Sequence, residues 1–184
     1  MLDLLTKYIP NLLDYRGEFI KSISETLQML FLSGAYSLIV GLFLGILLVV
    51  TRKGNILENP IIHGVLDGIV NLFRSIPFVI LITALIPLTK LIVGTFIGVK
   101  GAIFPLVVGC TPFFIRQVDM ALSDIDPGLI EAAQSMGLSP LGIIFRIYLK
   151  ESIPALVRSI TITAISLLSL TTMGGAVGGG GLGS

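Results

Sequence analysis

Ionisable side chains are scarce in this chain of 184 residues: 12% are charged, 54% are apolar, and the mean hydropathy is +0.99. So little charge excludes a soluble domain, which needs a polar surface, whereas a chain surrounded by lipid presents apolar residues outward. A single cysteine, Cys110, excludes an intramolecular disulfide, and a single histidine, His63, excludes the Cys/His clusters that zinc sites use. Twelve Lys and Arg against eleven Asp and Glu leave a net charge of +1 with no dense basic block, which excludes nucleic acid as the partner. The phosphate-gripping pattern Gly-x-x-x-x-Gly-Lys-Ser/Thr is missing, which excludes the usual nucleotide-binding loop. No nucleophile constellation is recognisable, and His63 is read as an interfacial residue rather than a catalytic base. The N-terminus lacks the basic-then-apolar order of a secretory signal and is read as mature sequence.

What is present is apolar and segmented by charge. Thr26 to Thr51 holds 26 residues without Asp, Glu, Lys, Arg or His, enough for a helix across an apolar layer of about 30 Å. Inside it Gly41-x-x-x-Gly45 is either a ridge that lets another helix approach closely or the ordinary glycine content of membrane helices. The next runs, Ser75 to Thr89 and Gly101 to Ile115, have 15 residues each, roughly 22 Å of helix at 1.5 Å per residue. Both must extend past their flanking charges, with Arg74, Lys90, Lys100 and Arg116 reaching toward the headgroups. The expected spans are about 26–51, 62–91, 99–122 and 153–173. Pro77, Pro87, Pro105 and Pro112 lie in or near them and are expected sites of kinking. The chain then enters a glycine run, Gly174 to Gly183, which reads as a break leading to something further, because open backbone at membrane depth is tolerated only inside protein or beside water.

Loop charge gives the orientation. With the loop between spans three and four inside, Arg52, Lys53, Arg74, Arg116, Arg146, Lys150 and Arg158 are cytoplasmic and Lys7, Arg16, Lys21, Lys90 and Lys100 external. The N-terminus is then outside, with 1–25 as an external interfacial segment and 26–184 as the transmembrane domain. Arg74 and Asp67 are read as anchors at the cytoplasmic end of span two.

The one long polar stretch between spans, 123–152, carries paired helix signals. Asp126-Pro127 offers an N-cap and a first-turn proline, Gly137 a left-handed stop, and Ser139-Pro140 a second start. Leu141, Ile144, Phe145 and Leu149 are expected to form the apolar stripe of the second helix, with Arg146 and Lys150 off it. Glu131-Ala132-Ala133 sets two minimal side chains beside a carboxylate, a surface suited to close docking.

These residues resemble a known pattern. Glu131-Ala132-Ala133, three residues, Gly137, nine residues, then Ile147-x-Leu149 is similar to the EAA loop of membrane subunits of bacterial ABC importers. Lys150 stands where that pattern usually has proline, and Pro154 follows four residues later. Asn71 to Phe78, Ile92 to Gly98 and Met173 to Gly178 resemble segments of the methionine-importer membrane subunits, so the likeness covers about Leu27 to Gly183. The resemblance implies an all-α polytopic bundle with a cytoplasmic coupling hairpin, in which Glu131, Ala132, Ala133, Gly137, Ser139, Ile147 and Leu149 dock an ATPase. It implies as partners a second copy of the chain, two copies of a cytoplasmic ATPase that binds ATP and Mg, and an external substrate-binding protein that delivers methionine. This chain itself is expected to hold no cofactor and no metal. Similar members carry a fifth span after the glycine-rich stretch, so four spans with a fifth missing predicts a fragment ahead of a truncated gene product or a subunit with a missing partner helix.

For the path itself, Ser166, Ser169, Thr171, Thr172 and Met173 offer a weakly polar lining on span four. Met173 is either a flexible apolar plug or ordinary packing. Cys110 is expected to be a small packed residue. Ion-coupled carriers commonly place a carboxylate at the bilayer midplane, and here Asp67 and Asp119 fall toward span ends. The expected function is a methionine permease subunit in the bacterial plasma membrane; the alternatives are a permease for another small amino acid, an ion-coupled carrier or an inactive fragment.

Overall fold

The computed structural model describes residues 15–184. Most of the expected external segment, including Lys7, lies outside the described residues. The described chain is all-α: α1 (Arg16–Val50), α2 (Pro60–Ser75), α3 (Phe78–Ala84), α4 (Ile86–Val93), α5 (Gly98–Ser123), α6 (Pro127–Ser135), α7 (Pro140–Ile143), α8 (Leu149–Glu151) and α9 (Ile153–Gly174). α7 and α8 are joined by a π-helical turn, Ile144–Tyr148. Among the described residues three helices are long and apolar enough to cross a membrane: Arg16–Val50, Gly98–Ser123 and Ile153–Gly179, the last including the turn that follows α9.

α1 begins ten residues before the expected boundary. Its 35 residues, Arg16 onward, run without a break through position 25, about 52 Å at 1.5 Å per residue. It packs on α5 through small residues four apart, Ser33, Ser37, Gly41 and Gly45, all buried. A Cβ on Gly41 would lie 2.7 Å from the Phe114 ring, and one on Gly45 would lie 2.6 Å from Val118 Cβ. The Gly41-x-x-x-Gly45 ridge is therefore a helix-helix contact, closer than any larger side chain permits.

Span two is not one straight helix over 62–91. Pro77 holds Ile76 extended (φ −84°, ψ 123°), so α2 stops at Ser75 and α3 leaves at 103° to it. Proline supplies no backbone donor to carry the ladder across. The break is a full turn of direction, where the charge-free run alone suggests a kinked helix.

Candidate coupling hairpin

Helices α6 to α8 form the hairpin, and its local chemistry follows the sequence. The Asp126 carboxylate accepts from Gly128 N at 2.8 Å and Pro127 opens α6. Gly137 takes φ +77°, and the amides of Gly137 and Leu138 donate to Gln134 and Ala133 carbonyls at 2.9 and 3.1 Å. Those bonds satisfy carbonyls that the helix end would leave orphaned. Ser139 Oγ accepts from Gly142 N at 3.2 Å and restarts the helix at Pro140.

The inward face differs from the expected stripe. Leu141 and Phe145 are 65% and 62% exposed, whereas Ile143, Ile144 and Tyr148 are buried. The π-helical turn at Ile144–Tyr148 adds a residue to the local repeat and rotates the face, so side chains four and five apart share the inner side. Ile147 and Leu149 are half-buried against it.

The hairpin is part of the core of the membrane bundle. Ala133, Ile143, Ile144 and Tyr148 pack in one buried cluster with Val49, Val50, Phe114, Val118 and Leu122 of α1 and α5. The two alanines of the Glu-Ala-Ala triplet divide: Ala133 is fully buried, while Ala132 and Glu131 face outward. Outward too are Leu129, Met136, Leu141 and Phe145, an apolar surface that none of the described residues covers. A Cβ on Gly137 would meet nothing within 4 Å, and Ser139 is exposed at the hairpin tip.

Tyr148 fastens the hairpin to the loop between α1 and α2. Its hydroxyl donates to Asn55 Oδ1 at 2.8 Å, and Asn55 Nδ2 donates to Val49 O at 3.0 Å. Burial raises the Tyr148 phenol above its ordinary pKa, and the Asn55 hydrogen bond and the Arg52 charge pull it partly back. His63 Nδ1 lies 2.9 Å from Leu48 O, so the ring donates to a helix-end carbonyl of α1; this is a structural tie.

An ion network that the sequence reading missed binds α1, α2 and α5 beside the hairpin. Arg52 reaches Asp119 at 2.6 Å, Arg116 reaches Asp119 at 3.1 Å, and Arg116 also pairs with Asp67. Arg116 therefore turns inward instead of extending to the headgroups. Arg52 and Asp119 are 67 residues apart, so only the α1–α5 contact brings them together.

Arg74 is not an end anchor. It lies 14 residues into α2 from Pro60, about 21 Å along the axis. Its neighbour Phe73 shares an apolar cavity with Val40, in the middle of the charge-free run of α1, and with Val107 and Thr111 of α5. Arg74 itself lines a second cavity of about 260 Å³ with Ser166, Cys110 and three phenylalanines. Of the expected path residues, Ser166 alone lines this cavity. Ser169, Thr172 and Met173 are exposed and do not line it, while Thr171 is buried and donates to Leu168 O.

The glycine run forms a compact turn. Gly178, Gly180 and Gly181 take positive φ. The amides of Gly181 and Leu182 donate to Glu25 Oε2 and Thr26 Oγ1, each at 2.9 Å. A Cβ on Gly175 would lie 2.7 Å from Gly180 O.

Comparison with known proteins agrees with this architecture. Residues 37–184 match the family model described as the inner membrane component of binding-protein-dependent transport systems. The chain is 51% identical over 155 residues to the D-methionine transport system permease protein MetI of Yersinia pestis, covering 84% of this chain and 71% of that protein. It is 49% identical over 156 residues to MetI of Escherichia coli K12, covering 85% and 72%, and 48% identical over 138 residues to the methionine import system permease protein MetP of Bacillus subtilis 168, covering 75% and 62%. The fold matches a chain of the inward-facing MetNI methionine ABC transporter with a TM-score of 0.90 at 47% identity, covering 92% of this chain and 79% of that one. A bundle of apolar helices with a helical hairpin at one end, matched in sequence and in fold, places this chain in the family of inner membrane components of binding-protein-dependent transport systems.

Proposed function

We infer that the chain is the permease subunit of an ATP-driven importer and carries methionine, in one or both configurations, inward across the bacterial plasma membrane by alternating access. The names of its relatives support the substrate. The coupling role rests on one observation: the hairpin exposes Leu129, Met136, Leu141 and Phe145 on one side while its other side belongs to the α1–α5 core. A partner seated on that surface pushes directly on the spans, the contact in two global states that coupling requires. In this reading Glu131, Ala132, Gly137 and Ser139 meet the ATPase, and Ala133, Ile147 and Leu149 hold the hairpin to the bundle. Two ATPase copies bind ATP and Mg, a second copy of this chain completes the path, and an external binding protein delivers the substrate. The N-terminus is external and the hairpin cytoplasmic; Ser166, Ser169, Thr172 and Met173 line the path.

The test is methionine uptake by the reconstituted importer, with permease, ATPase and binding protein in proteoliposomes. Gly137→Asp places a charge and a Cβ at a left-handed turn on the dock and lowers uptake at least tenfold at normal expression. Gly137→Asn, uncharged and tolerant of that conformation, retains most of it. Full uptake by Gly137→Asp counts against the hairpin's role, and no methionine uptake by the unmodified importer counts against the substrate.

A further inference from the structure

Arg74, exposed on its own chain, carries a charge that no acid among the described residues meets. No Asp or Glu occurs between Glu25 and Glu58, between Asp67 and Asp119, or after Glu151. Asp67 and Asp119 are already paired with Arg116 and Arg52. A guanidinium held in the span without an anion is costly and marks a functional position.

The cavity that Arg74 lines has room and chemistry for a small ligand. Its volume is about 260 Å³, and Ser166 of α9 stands across from the break between α2 and α3, with Phe73, Phe78 and Phe113 supplying ring surface. Gly109 of α5 admits the Phe78 ring, since a Cβ there would lie 2.7 Å from it. A planar guanidinium offers two parallel donors to a carboxylate, and a serine hydroxyl adds a third. Phenylalanine rings receive aliphatic chains and thioether sulfur well. Among the described residues no acid lines the cavity, so none of them reads an ammonium group.

We propose that this cavity is a binding site for the transported amino acid inside the span, in which Arg74 and Ser166 take the α-carboxylate and the phenylalanines take the apolar side chain. The proposal rests on the import function inferred above and deepens it. A site that reads carboxylate and tail but not the ammonium accepts both configurations at the α-carbon, leaving stereochemical choice to the binding protein.

The test is binding of labelled L-methionine to the permease–ATPase complex in nanodiscs without binding protein, with the ATPase alone measured in parallel. The expected result is one saturable site per permease beyond the ATPase alone, competed by D-methionine and not by methioninamide, which lacks the carboxylate. Arg74→Gln weakens it at least tenfold, Arg74→Lys by less, and Ser166→Ala about threefold. Binding absent from the permease, equal competition by methioninamide, or unchanged affinity in Arg74→Gln overturns the site. If Arg74→Gln does not assemble, Ser166→Ala and the methioninamide competition decide. Uptake by the complete importer separates the two readings: methionine uptake by the unmodified complex that Arg74→Gln leaves unchanged sinks the site alone, whereas no methionine uptake sinks the substrate assignment. In that second case the binding test is repeated with the amino acid that is taken up.

Discussion

The two ends of the bundle are fastened by different means. At the hairpin end side chains make the contacts: Ile143, Ile144 and Tyr148 pack on Val49 and Phe114, and Arg52 and Arg116 hold Asp67 and Asp119. At the glycine end backbone makes them, with Gly175 close against the Gly180 carbonyl and the Gly181 and Leu182 amides bonded to the Glu25 and Thr26 side chains. The hairpin end is thus held by contacts that a change of rotamer or of ion pairing can alter. Backbone at these separations has almost no such freedom, so the glycine end holds a single shape.

The sharpest way to break this contrast is Arg116→Ala. It leaves Asp67 with the Asn71 amide and Asp119 with Arg52, and is expected to destabilise the solubilised protein by about 3 kcal/mol, as removal of one partner from a partly buried network does. Adding Asp67→Asn to the same chain should return part of that loss, read as a shift in thermal unfolding. A rescue of nothing would show that the network does not hold the end together.

Gly175→Ala tests the other end. One methyl group against the Gly180 carbonyl should cost about 1–3 kcal/mol through overpacking. Gly137→Ala, where the turn is left-handed but the space is open, should cost only about 1 kcal/mol. Equal melting shifts for the two variants would erase the distinction between close approach and backbone conformation.

The smallest effect sharpens the hairpin side. Tyr148→Phe loses one hydrogen bond to Asn55, about 1 kcal/mol. It should also remove an alkaline component of stability. The folded phenol holds its proton more tightly than the unfolded one. Its contribution is therefore complete below the unfolded value of about 10 and is lost as pH rises through the higher folded value. Melting of the unmodified protein and of Tyr148→Phe compared from pH 9 to 11 isolates this contribution.

Local features were legible in the sequence because each depends on neighbours within a few positions. The caps at Asp126 and Ser139 and the stop at Gly137 are of this kind. The stripe of the second hairpin helix was misread because periodicity assumes 3.6 residues per turn, and the π-helical turn does not keep it. Proline at 77 announced a perturbation, but the 103° change of direction depends on how α3 packs on α5. The Arg52–Asp119 pair and the depth of Arg74 were invisible, since each is defined by residues many turns away in the chain.

The length of α1 ties the fold to its solvent. Glu25 and Arg52 bracket its charge-free run, and the same two residues bond Gly181 at one end and Asp119 at the other. Vertical position in the bilayer and tertiary fastening are thus one quantity. The helix cannot slide or tilt against its neighbours to suit a thicker or thinner lipid layer without drawing on both bonds, so hydrophobic mismatch is met by the bundle moving as one body.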